Sequence, residues 1–187
     1  MEIMRRILFF SLLIMYFTAC RENTESEAES LKELRQQFWK DKSSQANVEK
    51  AAKLDSAYKN YINNNPEDTN NAEYLFENAK LHADPHLLNH PDVAINLLEQ
   101  LYHKYPKSPR APEAMYQTAY MLENILMLPD NARNRYQLVI DTYPDHPFAK
   151  EARVLVKYVG KDPTEALKAI TDSASRNKPD TLAGKNR

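Results

Sequence analysis

Glycine is nearly missing from this chain, with two residues in 187 against eleven prolines. Phosphate-cradling loops need several glycines close together, and Gly160 and Gly184 stand 24 residues apart, which excludes a P-loop or a dinucleotide fingerprint. Tight hairpins rely on glycine for positive φ, so the same scarcity argues against an all-β chain. Cysteine is reduced to Cys20, which leaves no disulfide within one chain. A globule of this length buries roughly 70% of its unfolded surface and needs no such staple. No surplus of one charge exists either. Lys plus Arg is 25 and Asp plus Glu is 26, a formal charge of −1, so nucleic acid is not an expected partner. No serine stands in a Gly-x-Ser-x-Gly elbow. Carboxylate pairs such as Asp41 with Glu49 read as solvated faces in a chain that is 27% charged. The composition points to no enzyme and no cofactor.

What is present begins with an address. Arg5 and Arg6 precede Ile7–Phe17, an eleven-residue run broken only by Ser11 and the Tyr16 hydroxyl. This is the charged and apolar pattern of a secretory signal, too short to span a membrane. Phe17-Thr18-Ala19-Cys20 follows directly and resembles a bacterial lipobox, with Phe17 where that family most often has Leu. The resemblance implies a signal peptide over 1–19 and three acyl chains on Cys20. One chain binds a membrane marginally, and two or more hold stably. The next stretch, Arg21–Ser30, carries four glutamates and no large apolar side chain, so residues 20–30 read as the lipidated cysteine and a solvated tether.

Beyond the tether the chain repeats itself. At an offset of 38, Ala94, Tyr105, Pro106, Pro109, Ala111, Glu113 and Ala114 recur as Ala132, Tyr143, Pro144, Pro147, Ala149, Glu151 and Ala152. Within each unit Ala94, Leu98, Leu101 and Pro106 match Ala132, Tyr136, Val139 and Pro144. This is an i, i+4, i+7 apolar stripe closed by proline, the pattern of an amphipathic helix with a fixed stop. Leu54, Tyr58, Tyr61 and Pro66 give an upstream copy, and Leu167, Thr171, Ala174 and Pro179 a frayed one. Further helices are expected over Ala28–Lys42, Asn47–Asn63, Ala72–Lys80, Ala111–Leu126 and Phe148–Val159. Pro109, Pro147 and Pro163 are expected at first helical positions, Asp162 as an N-cap, and Asp130 as the cap of the Ala132 helix. The unit is then a helical hairpin, and a hairpin buries its apolar face only by stacking on neighbours.

The stripe of Ala, an apolar or aromatic residue four later, another three after that, and a terminal proline resembles the second helix of a tetratricopeptide repeat. Tyr116, Ala119 and Tyr120 resemble that repeat's first helix, without its glycine. YHKYPKSPRAPEAMYQTAY and YQLVIDTYPDHPFAKEARVL are similar to repeats of outer-membrane lipoproteins of the barrel-assembly D type and of the Tol–Pal-associated repeat protein. The stretch from about 94 to 170 is similar to small tetratricopeptide lipoproteins of Bacteroidota, Gram-negative bacteria. The resemblance implies an all-α, TPR-like solenoid of about three to four helical hairpins over 31–172, with its best repeats in 94–159; the basic residues Arg176, Lys178, Lys185 and Arg187 read as a disordered tail over 173–187. It also implies a concave, protein-binding groove. By the family's positional pattern Gln117, Met121, Asn124, Leu155 and Val159 face that groove. The alternative for Met121, Leu155 and Val159 is packed core.

His82, His86 and His90 have the spacing of three imidazoles on one helix face, which suits Zn²⁺. Pro85 and Pro91 break that face twice, so the segment reads instead as a solvated turn with Asn89 or His90 capping the next helix. His103 and His146 lie apart from it. Trp39 beside Phe38 either caps the first hairpin or meets a partner. Tyr58, Tyr61, Tyr102, Tyr136 and Tyr143 lie on or beside the packing stripes and read as core. The expected function is a lipid-anchored, non-catalytic envelope adaptor on the periplasmic face of the outer membrane, binding another envelope protein. The alternatives are a structural subunit of an outer-membrane assembly and a metal-binding protein using the histidine turn.

Overall fold

The structure, a computed structural model, describes residues 25–40 and 47–162 together with residues 164 and 168. Every regular element among them is a helix. Residues 25–40 form α1, followed by α2 (Asn47–Asn64), α3 (Asn71–Ala83), α4 (Pro91–Lys104), α5 (Ala111–Asn124), α6 (Pro129–Thr142) and α7 (Pro147–Leu155). The chain divides into two compact units, Met1–Ala114 and Met115–Arg187. Cys20, the Ser43-Ser44 turn, the frayed stripe from Leu167 and the tail 173–187 lie outside the described residues.

All three expected stripes are core. Leu54, Tyr58, Ala94, Leu101, Ala132, Tyr136 and Val139 have no exposed surface, and Tyr61 and Leu98 have almost none. Both stops are the same device. Tyr105 and Tyr143 leave the helix at φ −125°, ψ 57° and φ −129°, ψ 58°, because the following proline excludes αR from the residue before it. Each still donates its N–H to the carbonyl four residues back, Leu101 at 2.8 Å and Val139 at 3.0 Å.

The helix starts differ from expectation in part. Pro147 opens α7 with His146 as N-cap, its Nδ1 accepting from Phe148 N at 3.3 Å. Asp162 Oδ1 accepts from Thr164 N at 2.8 Å. Pro109, however, stands in the turn ahead of α5. Asp130 is not a cap: α6 begins one residue earlier at Pro129, and Asp130 sits exposed in its first turn, paired with Arg133 at 2.8 Å. A carboxylate there still favours the helix's positive end. The helical region also begins earlier than the sequence suggests. α1 already includes residues 25–30, because Glu27 accepts from the Asn64 and Asn65 amides and Ala28 packs on the α1–α2 cluster.

In the first unit, α1 and α2 share one apolar cluster through Leu31, Phe38, Ala51, Leu54 and Tyr58, so these two helices pack as a pair. α2 packs on α3 and α3 on α4. Polar links reinforce this stack. Arg35 of α1 grips Glu77 of α3 with two hydrogen bonds of 2.7 Å, and Tyr58 of α2 donates to the same carboxylate. Arg110 holds Glu73 through two bonds of 2.8 and 2.9 Å and Glu113 at 2.8 Å, fixing the turn before α5 onto α3. In the second unit α6 packs on α7.

The 38-residue repeat reaches into backbone geometry that side-chain identity hides. Asn89 and Met127, 38 residues apart, are the two non-glycine residues with positive φ among those described, at 52° and 54°. Each precedes an N-cap residue and an N1 proline, and each N-cap N–H returns to a carbonyl of the preceding helix at 2.8 Å, His90 to His82 and Leu128 to Leu122. Asparagine tolerates the left-handed region, whereas methionine is strained there. Met127 is 72% exposed and so contributes little packing. Met127→Asn is therefore expected to stabilise the protein by about 0.5 kcal/mol. Thermal melting that leaves the midpoint unchanged or lower would count against this account of the turn.

Candidate protein-interaction surface

α5 buries two adjoining stripes. Ala111, Met115, Thr118 and Leu122 form one, and Ala114 and Met121 widen it, all less than a tenth exposed. Of what remains, Gln117, Tyr120 and Asn124 stand three and four residues apart on one side of the helix, and Glu113, Tyr116 and Glu123 are half-buried beside them. Gln117 is half-buried, Tyr120 is 49% exposed and Asn124 is exposed. The Asn124 amide donates to the Tyr120 carbonyl at 3.0 Å, which orients the end of this face.

The five residues expected to line a groove therefore separate. Gln117 and Asn124 reach the surface, Leu155 is half-buried, and Met121 and Val159 are core at 4% and 1% exposure. Met121 is core because the buried arc of α5 is wider than one stripe. Val159 is core because the chain turns back after α7. Gly160 takes φ +76°, and a Cβ there would come within 3.0 Å of Pro129 Cβ. Arg133 Nη2 donates to the Val159 carbonyl at 2.9 Å and holds the turn. Tyr120 joins the exposed face although the sequence assigned it to the first-helix signature. Its position three residues after Gln117 was the available signal.

Aromatic packing fixes the second unit beneath this face. Tyr116 stacks on Phe148 with centroids 5.0 Å apart and meets Tyr136 nearly edge-on at 5.8 Å. Burial, and then the negative charge of Glu151, push the Tyr116 hydroxyl up to about 12. Tyr136 donates to Glu123 at 3.1 Å, and burial with that carboxylate raises its pKa further. These phenols stay protonated and serve as donors. Tyr58, Tyr61 and Tyr102 are likewise core, and Tyr143 is half-buried.

The histidine turn departs from the expectation that its side chains face solvent at His82 and meets it at His86 and His90. His82 is 4% exposed on α3, and its Nε2 lies 3.1 Å from Asp55 of α2. Asp55 also accepts from Asn78 at 3.0 Å and Lys59 at 2.7 Å. Burial works against the Asp55 charge, but the hydrogen bonds from Lys59, His82 and Asn78 outweigh it and hold the carboxyl below its usual range. His86 and His90 are exposed, and His90 is the N-cap of α4 without a side-chain cap bond. Among the described residues no group of three or more His, Cys, Asp or Glu stands together as metal ligands do. Trp39 is 40% exposed, packed against the edge of Phe38, with Lys80 Nζ 4.5 Å above its ring.

With paired helices, repeated stops and a doubly buried α5 in place, the comparison with known families falls on one span. Residues 113–146 match the tetratricopeptide repeat. The repeat takes in nearly all of α5, the turn at Met127, α6 and the Tyr143-Pro144 stop. No curated protein and no solved structure matches the chain. The protein is thus all-α and built of TPR-like helical repeats, a type that characteristically binds other proteins. Such repeats define a scaffold and leave the partner open.

Proposed function

We propose that this chain is a lipid-anchored, non-catalytic adaptor of a Gram-negative cell envelope, held to the outer membrane through Cys20 and binding another envelope protein with its repeats. The tetratricopeptide match over 113–146 carries the binding half of this reading. The face of half-buried Gln117 and exposed Tyr120 and Asn124 supplies the contact, since tyrosine offers a large, rigid, amphipathic surface at low entropic cost. The arginines, apolar run and Cys20 at the start of the sequence support the anchoring half.

A second reading, a permanent subunit of an outer-membrane assembly, draws on the turn after α5. Ile125 and Leu128 are over two-fifths exposed and Met127 is 72% exposed, a contiguous apolar tip of the kind that marks standing protein contacts. One experiment tests both halves and separates the readings. A photoreactive residue placed at position 120, or in a second variant at 127, is irradiated in living cells, with Cys20 intact and in Cys20→Ala. The adaptor is expected to be captured in the membrane fraction with one dominant protein, and Cys20→Ala is expected to shift it to the soluble fraction. A chain that stays membrane-bound without Cys20 overturns the anchor. Capture from position 127 in place of 120, with stoichiometric co-purification, favours the permanent subunit.

A further inference from the structure

In the first unit the turn before α3 and the turn before α5 enclose a cleft of about 660 Å³. Its apolar lining is Ala72, Tyr105, Pro106 and Pro109, and its charges are Lys104 and Lys107. No carboxylate among the described residues lines it. The walls are held in place. Tyr105 Oη donates to the Pro66 carbonyl at 3.4 Å, joining one turn to the other. Arg110, directly after Pro109, clamps Glu73, directly after Ala72. Two prolines and a tethered tyrosine lose little freedom on binding, so the cleft is pre-organised. Its volume falls within the range of about 300–1,000 Å³ that bound ligands fill.

From this geometry we infer that the cleft is a second docking site, which takes an acidic peptide segment of a partner protein by admitting an aromatic or apolar side chain between Tyr105 and Pro109 and pairing its flanking carboxylates with Lys104 and Lys107. The charge arrangement selects that occupant. Two exposed lysines, with no lining acid among the described residues, attract carboxylates and repel a basic segment. Two cations are too few to hold a nucleic acid in a chain of formal charge −1. The apolar walls reject a ligand that is charged throughout, because its groups would lose water without gaining partners. The site rests on the reading of the protein as a protein-binding scaffold and adds to it the chemistry of a partner segment.

The test uses the full chain and a fluorescein-labelled peptide of alternating Glu and Phe, read by fluorescence anisotropy. Saturable binding is expected, weakened at least tenfold in the double variant Lys104→Glu, Lys107→Glu and also in Thr69→Trp, which fills the cleft without changing charge. The peptide with Lys in place of Glu is expected to gain affinity for the double variant. All three replaced side chains are exposed, and unchanged thermal melting confirms that the variants fold. Absence of binding overturns the site, as does equal binding to the native chain and both variants. Equal binding of a Glu and Ser peptide overturns it too, since charge alone then suffices. Photo-capture at position 120 does not involve these lysines. Capture that persists when peptide binding fails removes the cleft and leaves the adaptor standing, and the reverse pattern does the opposite.

Discussion

Tyr136→Ala is expected to destabilise the second unit by about 4 kcal/mol, within the range for removing a buried aromatic ring. Tyr136 has no exposed surface and is the middle residue of the α6 stripe. Its ring lies against Tyr116, which in turn stacks on Phe148 of α7, so one truncation opens a cavity touching three helices. The loss also leaves Glu123 without the hydroxyl donor it accepts from at 3.1 Å. Tyr136→Phe separates the two effects, keeping the ring and removing the hydrogen bond at about 1 kcal/mol. Denaturant titration followed by circular dichroism measures both. A loss under 1 kcal/mol for the alanine variant would mean that α6 is not packed on its repeat stripe.

Glu77→Ala is expected to cost about 3 kcal/mol, the lower end for breaking a buried ion pair by removing one partner. The Glu77 and Arg35 side chains are 14% and 24% exposed, so the pair is shielded without being dry. Truncation strands the Arg35 guanidinium and the Tyr58 hydroxyl together, which is costlier than losing one bond of ordinary worth. Glu77→Gln keeps one oxygen that accepts from Arg35 Nε and Tyr58 but turns an NH2 toward Arg35 Nη2, and it is expected to lose less than the alanine variant. A double-mutant cycle with Arg35→Ala isolates the coupling.

The same carboxylate carries a pH signature. Burial raises the Glu77 pKa, but the hydrogen bonds from Arg35 and Tyr58 and the Arg35 charge outweigh that and leave it lowered. A carboxylate lowered on folding contributes stability above its ordinary range, and that contribution is lost as pH falls through the folded value. The native chain is therefore expected to lose stability as the solution is acidified through the carboxylate range, and Glu77→Ala to lose less over the same interval. Asp55, also lowered, preserves part of the slope in both. An identical acid profile for the two proteins would show that the pair does not form.

Much of the fold was legible before any coordinates. Leu54, Ala94, Leu98, Leu101, Ala132, Tyr136 and Val139 were expected in the core from spacing alone, and each is there. A 3.6-residue period states which side of a helix is apolar, and a proline after the stripe states where the helix ends. Both signals are local. What fell outside their reach depends on neighbours far along the chain. The resemblance's positional pattern puts Met121 in a groove, with packed core as the alternative, and packed core is the outcome because α5 is covered over a wide arc. Val159 carries the same two readings, and it is core because Gly160 and Arg133 turn the chain inward. His82 was put in solvent with its turn, whereas Asp55, 27 residues away, holds it in the first unit. The cleft at Tyr105 gave no sequence signal, because its two walls come from turns of different hairpins.

The sequence by itself determined the all-helical class, the 38-residue unit, the stops at Tyr105 and Tyr143 and the faces that pack, since backbone restriction and apolar periodicity act within a few residues. Tertiary structure alone decided which polar groups are partners and which of the remaining faces stay open. The Arg35–Glu77 bond spans 42 residues and the Arg110–Glu73 bond 37, and such separations are closed only when helices stack. The wide buried arc of α5 leaves Tyr120 and Asn124 exposed and Gln117 half-buried.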